Sequence, residues 1–151
     1  MLMTILENGA WFMKILILGA AGKIGKILTR RLLDETTHDL VLYARNANVR
    51  IKNEDPKRIK LVSGDFLDHD TLDEAMHGVD LVYLNDMGNV GAVRHIIETM
   101  QANHVKLIIC ASILGIYDEV VGKFGEWNDQ MIGSSPRNQD QKDSAAIVEE
   151  R

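Results

Sequence analysis

Apolar residues along this chain gather into short continuous runs, and several of the segments between them have helical spacing. Lys14 to Leu18 is the first run, and it is followed by a glycine-rich turn and an amphipathic stretch from Lys23 to Leu33. Asp39 to Arg45 is the second, Arg58 to Asp65 the third, Asp80 to Asn85 the fourth and Lys106 to Ser112 the fifth. Asp68 to Gly78 carries Leu72, Ala75 and Met76 at helical spacing, with Gly78 as its stop. Asn89 to Asn103 is a second clear helix, whose inner face is Val93, Ile96, Ile97 and Met100. Asn46 to Lys57 is polar and reads as a loop, so the link between the second and third strands has no helix of its own.

Continuous apolar runs imply strands buried on both faces, since a half-exposed strand alternates. Strands separated by helices imply right-handed crossovers and a parallel sheet. The expected fold is therefore α/β, a doubly wound parallel sheet of the Rossmann type in the order 3-2-1-4-5. Its ligand crevice would lie outside the carboxyl ends of the strands.

Residues 13–151 form this domain, and residues 1–12 read as an N-terminal extension, because Met13 stands directly before the first strand. At the other end Gly133 to Asp143 is polar, and only Ser144 to Arg151 looks helical, through Ala145, Ala146 and Val148. No sixth strand follows, so the later strands are expected to be missing and the domain incomplete at its C-terminus. The fifth strand would then present a long apolar edge. Either a homodimer covers that edge or the protein is a shortened one.

Composition narrows the class. A hydrophobic fraction of 46% and a charged fraction of 26% are those of a globular protein. A formal net charge of -5 with no basic cluster argues against a nucleic-acid partner. No segment reaches the ~18 apolar residues that span a bilayer, so no membrane partner is expected. The single cysteine, Cys110, cannot form an internal disulfide, which fits the cytoplasm; inside its apolar run it reads as a buried, inert thiol.

The chemistry concentrates in Gly19-Ala20-Ala21-Gly22-Lys23-Ile24-Gly25. A strand that ends in such a turn and opens a helix is an anion site, because first-turn N–H groups and the positive end of the helix dipole both face the turn. Three glycines at this spacing fit a dinucleotide pyrophosphate: one for the turn, one for close approach of backbone to phosphate, one for helix-to-strand packing. Lys23 adds charge against phosphate or is simply an exposed first-turn lysine.

Arg45 closes the second strand, where the adenosine ribose would lie. An arginine there suits the 2′-phosphate of NADP, so NADP(H) is expected in preference to NAD(H); the bland alternative is a solvated arginine at a strand end. Asp65 and Phe66 end the third strand on the same rim. The aspartate either accepts from the adenine amino group or caps the following turn, and the phenylalanine would wall the pocket. Asn85 ends the fourth strand within reach of ribose or nicotinamide, or is an ordinary strand-ending residue.

Ser112 ends the fifth strand and Tyr117 follows it, the residue types that polarise a carbonyl in many nicotinamide-dependent reductases. The lysine that should follow such a tyrosine by one helical turn is absent: Val121, Met87 and Ala47 occupy the positions after Tyr117, Tyr83 and Tyr43. Other chemistries fail on spacing. Ile24 stands where a P-loop needs glycine, the histidines at 38, 69, 77, 95 and 104 show no ligand spacing, and no serine lies in a GxSxG elbow.

Taken together, Lys14 to Gly25, Val41 to Arg45, Gly64-Asp65-Phe66, Val82 to Asn85, Ser112 to Val120, Gly122-Lys123-Phe124 and Glu126-Trp127-Asn128 resemble the NmrA-like, atypical branch of the short-chain dehydrogenase/reductase superfamily. The resemblance covers about Met13 to Gly133. It implies NADP(H) on the glycine turn, bound by Gly19, Ala21, Gly22, Lys23, Ile24 and Gly25. It also implies Arg45 near the 2′-phosphate, Asp65 near adenine, and Ser112 with the loop through Tyr117 near the nicotinamide.

Members generally continue with a helix of the type PYRKAAD-IIE, then further strands and a substrate-binding region. Asp140 to Glu149 can be laid on that helix, with Gln141 in place of the aromatic residue, and the chain stops where the sixth strand should begin. The expected function is an NADPH-dependent oxidoreductase acting on a small molecule. The alternatives are a nucleotide-binding redox sensor without turnover, and a shortened, inactive member.

Overall fold

The computed structural model describes residues 11–132 and 135–150. The expected extension at residues 1–12 lies outside the described residues except for Trp11 and Phe12. Five strands form one parallel sheet: β1 (Lys14–Leu18), β2 (Asp39–Ala44), β3 (Ile59–Ser63), β4 (Leu81–Leu84) and β5 (Leu107–Cys110). Their order is β3-β2-β1-β4-β5, as the strand runs predict. The register pairs Leu16 with Val41 and with Val82, which puts β1 at the centre.

Alternate residues of β1 and β2 enter opposite cores, which explains their unbroken apolarity. Leu16, Leu18, Val41 and Tyr43 face one core, with α3 (His69–Met76) and α4 (Val90–Ala102) packed over it. Ile15, Ile17, Leu40 and Leu42 face the other, covered by Leu28, Leu32 and Leu33 of α1 (Lys23–Glu35). A third device ties α1 to the β2–β3 link: the Arg58 guanidinium donates to the carbonyls of Leu32, Leu33, Thr36 and His38. It thereby gives a donor to the Leu33 carbonyl in the last turn of α1 and adds one to that of Leu32, which already accepts from the Thr36 N–H.

Three local expectations are corrected. The polar segment after β2 contains one helical turn, α2 (Ala47–Arg50), which Asn46 enters at φ +54°. A left-handed residue of this kind is one that asparagine tolerates. A helix not read from the sequence, α5 (Gly122–Ile132), follows β5. The polar segment expected to precede the last helix is mostly helix itself: α6 runs from Pro136 to Glu149, with Pro136 at its first turn and Ser135 accepting from the Asn138 N–H at 3.2 Å.

β5 stops at Cys110, two residues short of Ser112, and is an edge of the sheet with Leu107 and Ile109 exposed. Cys110 is half-buried, not buried, because nothing among the described strands lies beyond it. No helix among the described residues is long and apolar enough to cross a membrane.

The N-terminus of α3 carries a pH-dependent contribution. Asp68 accepts from the Thr71 hydroxyl at 2.7 Å and the Thr71 N–H at 3.2 Å, and these bonds hold its carboxyl below its ordinary value of 3.8. Because the folded pKa is the lower one, the stabilisation is complete above the unfolded pKa and disappears as pH falls through the folded one. The stability gap between wild type and Asp68→Asn is therefore expected to be constant at neutral pH and to close in acid. Urea unfolding over a pH series measures it.

Candidate functional site

The carboxyl ends of β1, β2, β3 and β4 open on a cleft of about 350 Å³. Gly19 and Gly22 line one wall, Ala44, Arg45 and Arg50 a second, Gly64, Asp65 and Phe66 a third, and Asn85 with Asp86 a fourth. These residues are far apart in sequence; the parallel sheet brings them together because each follows the end of a strand.

The turn after β1 is built by its glycines. Gly19 has φ +83°, and its N–H and that of Ala20 both donate to the Tyr43 carbonyl, at 3.0 and 3.2 Å. The turn is thereby anchored to β2. Gly25 sits under it, where an added Cβ would lie 2.7 Å from the Gly19 carbonyl oxygen and 2.8 Å from Ala20 Cα. Only a residue without a side chain lets α1 lie this close to the turn.

Gly22 is the N-cap of α1 and supplies no side-chain cap, and no acidic residue occupies the first turn. The N–H groups of Lys23, Ile24 and Gly25 donate to no backbone carbonyl among the described residues. By contrast Asp68, Asn89 and Ser135 cap α3, α4 and α6 through their side chains. The start of α1 is thus the positive helix end in this group that needs an anion from elsewhere.

On the neighbouring wall Arg45 is exposed and makes no ion pair among the described residues, and neither does Arg50. Arg50 Nη1 donates to the Arg45 carbonyl at 3.2 Å, so the single turn of α2 places two guanidinium groups on one rim. Asn85 lies against the glycines, with its Cβ 3.4 Å from where a Gly19 Cβ would be; its Oδ1 accepts from the Tyr83 hydroxyl at 3.3 Å.

Asp65 is exposed and accepts from the Leu67 N–H at 3.1 Å through Oδ1, which makes it a turn cap whose second oxygen has no partner among the described residues. The Phe66 ring is stacked on Tyr43 at 6.1 Å between centroids, and its carbonyl accepts from His95 Nδ1 at 2.5 Å. A carbonyl only accepts, so His95 carries its proton on Nδ1.

Tyr43 is buried and donates to the Asp65 carbonyl at 2.7 Å. Burial, followed by the charges of Asp68 and Asp65, pushes its phenol far above the ordinary range. It stays a neutral donor and acts as a post for the loop. Tyr43→Phe is expected to cost about 0.5–1.5 kcal/mol in urea unfolding, the usual worth of one such bond.

The other expected residues lie elsewhere. Lys23 and Ile24 are exposed on the first turn of α1 and Gly25 is buried beneath it; none of the three lines the cleft. Ser112 is exposed beyond the end of β5 and Tyr117 is 58% exposed, and neither lines the cleft. The Tyr117 hydroxyl donates to Glu149 Oε1 at 2.6 Å, a bond that raises its pKa above the ordinary value.

Several lining residues went unread in the sequence. Arg50 lay in a segment read as loop, and Gly64 is required because a Cβ there would collide with the Tyr43 phenol. Asp86 accepts from Arg137 Nη2 at 3.3 Å, a contact from α6 that no local pattern signals.

Residues 19–151 match the model of a family described as NAD(P)H-binding. The chain belongs to that family. No curated protein sequence matches the chain. A short-chain dehydrogenase/reductase (wide type) from Veillonella parvula, solved in complex with NADP, superposes with a TM-score of 0.84 at 25% identity, over 91% of this chain and 64% of that one. A Rossmann-fold NAD(P)-binding family protein from Shigella flexneri gives 0.69 at 27% identity, over 91% and 61%.

The NADPH-dependent quinone oxidoreductase of Escherichia coli, complexed with NADPH, gives 0.69 at 20% identity, over 90% and 44%, a likeness that speaks for the fold alone. The chain therefore spans less than two thirds of the length of the solved proteins it resembles. An NAD(P)H-binding domain, and with it a nicotinamide cofactor, follows from the family.

Proposed function

We propose that the chain is an NADP(H)-binding reductase of the NmrA-like branch, working in the cytoplasm on a small molecule. One observation carries the reading: Gly22, the N-cap of α1, supplies no side-chain cap and lines a cleft whose neighbouring wall holds two arginines with no ion pair among the described residues. The cleft's groups fit the nucleotide chemically. The pyrophosphate would take the free N–H groups of the first turn of α1, as an external cap. Arg45, steadied through its carbonyl by Arg50, would pair with the 2′-phosphate. Asp65, through its free oxygen, would accept from the adenine amino group, and the Phe66 side of the cleft would wall the base. Asn85 would face the ribose or nicotinamide.

The bound cofactor would supply a hydride, and the protein would orient it and its acceptor. Ser112 and Tyr117 are the residues assigned to the acceptor side, Ser112 first. The Tyr117–Glu149 bond favours a second reading, a nucleotide-binding sensor without turnover. A phenol held to a carboxylate and raised in pKa is a poor proton donor, and no lysine offsets it.

Calorimetric titration with NADPH and NADH, followed by NADPH oxidation with a panel of quinones, flavins and aldehydes, tests both readings. NADPH binding with turnover on one acceptor is the expected result. Binding without turnover on every acceptor selects the sensor, and absence of binding overturns the nucleotide assignment.

A further inference from the structure

A second cleft, of about 320 Å³, lies between α1 and the link from β2 to β3. Its apolar floor is Ala20, Leu33, Ile51 and Ile59. Around this floor stand Lys26 and Arg30 from α1, and Arg50, Lys52 and Glu54 from the link between β2 and β3. Four cations against one carboxylate is an unusual balance in a chain whose formal net charge is -5.

Arg30 is committed to Asp34 at 3.0 Å and lies 3.8 Å from Glu54, whereas Lys26, Arg50 and Lys52 make no ion pair among the described residues. A second observation points to a ligand. Thr29 lines the same cleft and is only 9% exposed; its hydroxyl oxygen is itself shielded from solvent and finds no hydrogen-bond partner among the described residues. A buried hydroxyl left without a partner costs stability unless something satisfies it.

We propose that this cleft is a second anion site, taking the phosphate group of a small phosphorylated molecule. The cations would neutralise the phosphate, Thr29 would turn about its Cα–Cβ bond so that its hydroxyl donates to one of the phosphate oxygens, and the apolar floor would receive the organic body. The site goes beyond the nucleotide cleft, which it adjoins at the turn after β1: Ala20 lines this cleft, and Gly19 and Ala21 line the other. Arg50 lines both cavities, so an anion here would draw on a cation that the nucleotide cleft also uses.

Phenyl phosphate, which carries both a phosphate and an apolar body, is the probe. Calorimetric titration at fixed ionic strength, without any nucleotide, is expected to show binding to the wild type. K26Q/K52Q should weaken it by about tenfold and Thr29→Val by about threefold, as losses of charge-assisted and neutral hydrogen bonds respectively. Both changes sit on exposed or shape-conserving positions, and unaltered thermal unfolding confirms that the variants fold.

NADPH affinity of K26Q/K52Q should equal that of the wild type, so failure of the nucleotide reading and failure of this one are told apart. The proposal is overturned by no phenyl phosphate binding at millimolar concentration. It is equally overturned by binding unchanged in K26Q/K52Q, or by binding lost in Arg45→Ala alone, which would put the anion in the nucleotide cleft.

Discussion

Gly25→Ala is expected to lower stability by about 1–3 kcal/mol and to weaken NADPH binding with it. The added methyl group would meet the Gly19 carbonyl oxygen at 2.7 Å, Ala20 Cα at 2.8 Å and the Ala20 carbonyl oxygen at 2.9 Å. All three are backbone atoms of the turn, so no side chain can swing aside. Relief requires α1 to back away from β1, or the turn to lift off the Tyr43 carbonyl that anchors it. Either movement carries the free N–H groups of the helix start away from the cleft.

Thermal unfolding should register a fall of about 2–4 °C per kcal/mol, given the size of the domain. Gly91→Ala is the control. Gly91 is exposed in the first turn of α4, and its Cβ would lie 3.5 Å from Asn89 Oδ1, an ordinary contact. That change should be neutral or slightly stabilising, because alanine loses less backbone entropy in a helix. If Gly25→Ala behaved like Gly91→Ala, the close packing of α1 on the turn would be wrong.

The central sheet was legible because its physics is local. Strands buried on both faces must be apolar throughout, so β1 and β2 appear as runs, and a parallel order follows once helices separate them. Gly19, Gly22, Arg45, Asp65, Phe66 and Asn85 all line the observed cleft for the same reason: each follows the end of a strand, and the sheet does the gathering.

What was missed is what sequence periodicity cannot carry. α6 buries Gln141, Ser144 and Ala145 against its surroundings, so small and polar residues replace the apolar stripe by which a helix is normally read. α2 is a single turn, too short for any period, and Arg50 came to the cleft only through it. The Asp86–Arg137 pair spans 51 positions and joins β4's exit to α6, which only a folded chain displays.

Ser112 and Tyr117 illustrate the converse. The residue types fit the acceptor side of a reductase, yet β5 ends two residues before Ser112 and Tyr117 is turned to Glu149. Residue type at a strand's end locates a site well only where the next strands also close around it. Here the cleft is drawn by β1 to β4, and the β5 exit stands outside its lining.

Arg45→Ala is the change that discriminates between the two nucleotides. Calorimetric titration is expected to show NADPH affinity falling by roughly ten- to a hundredfold, the worth of about 1.5–3 kcal/mol for a charge-assisted pair with a phosphate. NADH affinity should hardly move, because NADH has no 2′-phosphate for the arginine to grip. The size of the effect rests on Arg45 having no carboxylate partner among the described residues. Its removal strands no buried charge and frees no competing pair, so stability should stay within about 0.5 kcal/mol of wild type.

Salt offers an internal check, since an exposed ion pair is screened: the NADPH preference of wild type should shrink as ionic strength rises, and that of Arg45→Ala should not. Arg50→Ala should fall between the two. It removes a neighbouring positive charge and the 3.2 Å bond to the Arg45 carbonyl, but leaves the guanidinium of Arg45 in place. Equal weakening of NADPH and NADH in Arg45→Ala would move this arginine from the 2′-phosphate to the pyrophosphate, and the basis of cofactor choice would have to be sought on another wall of the cleft.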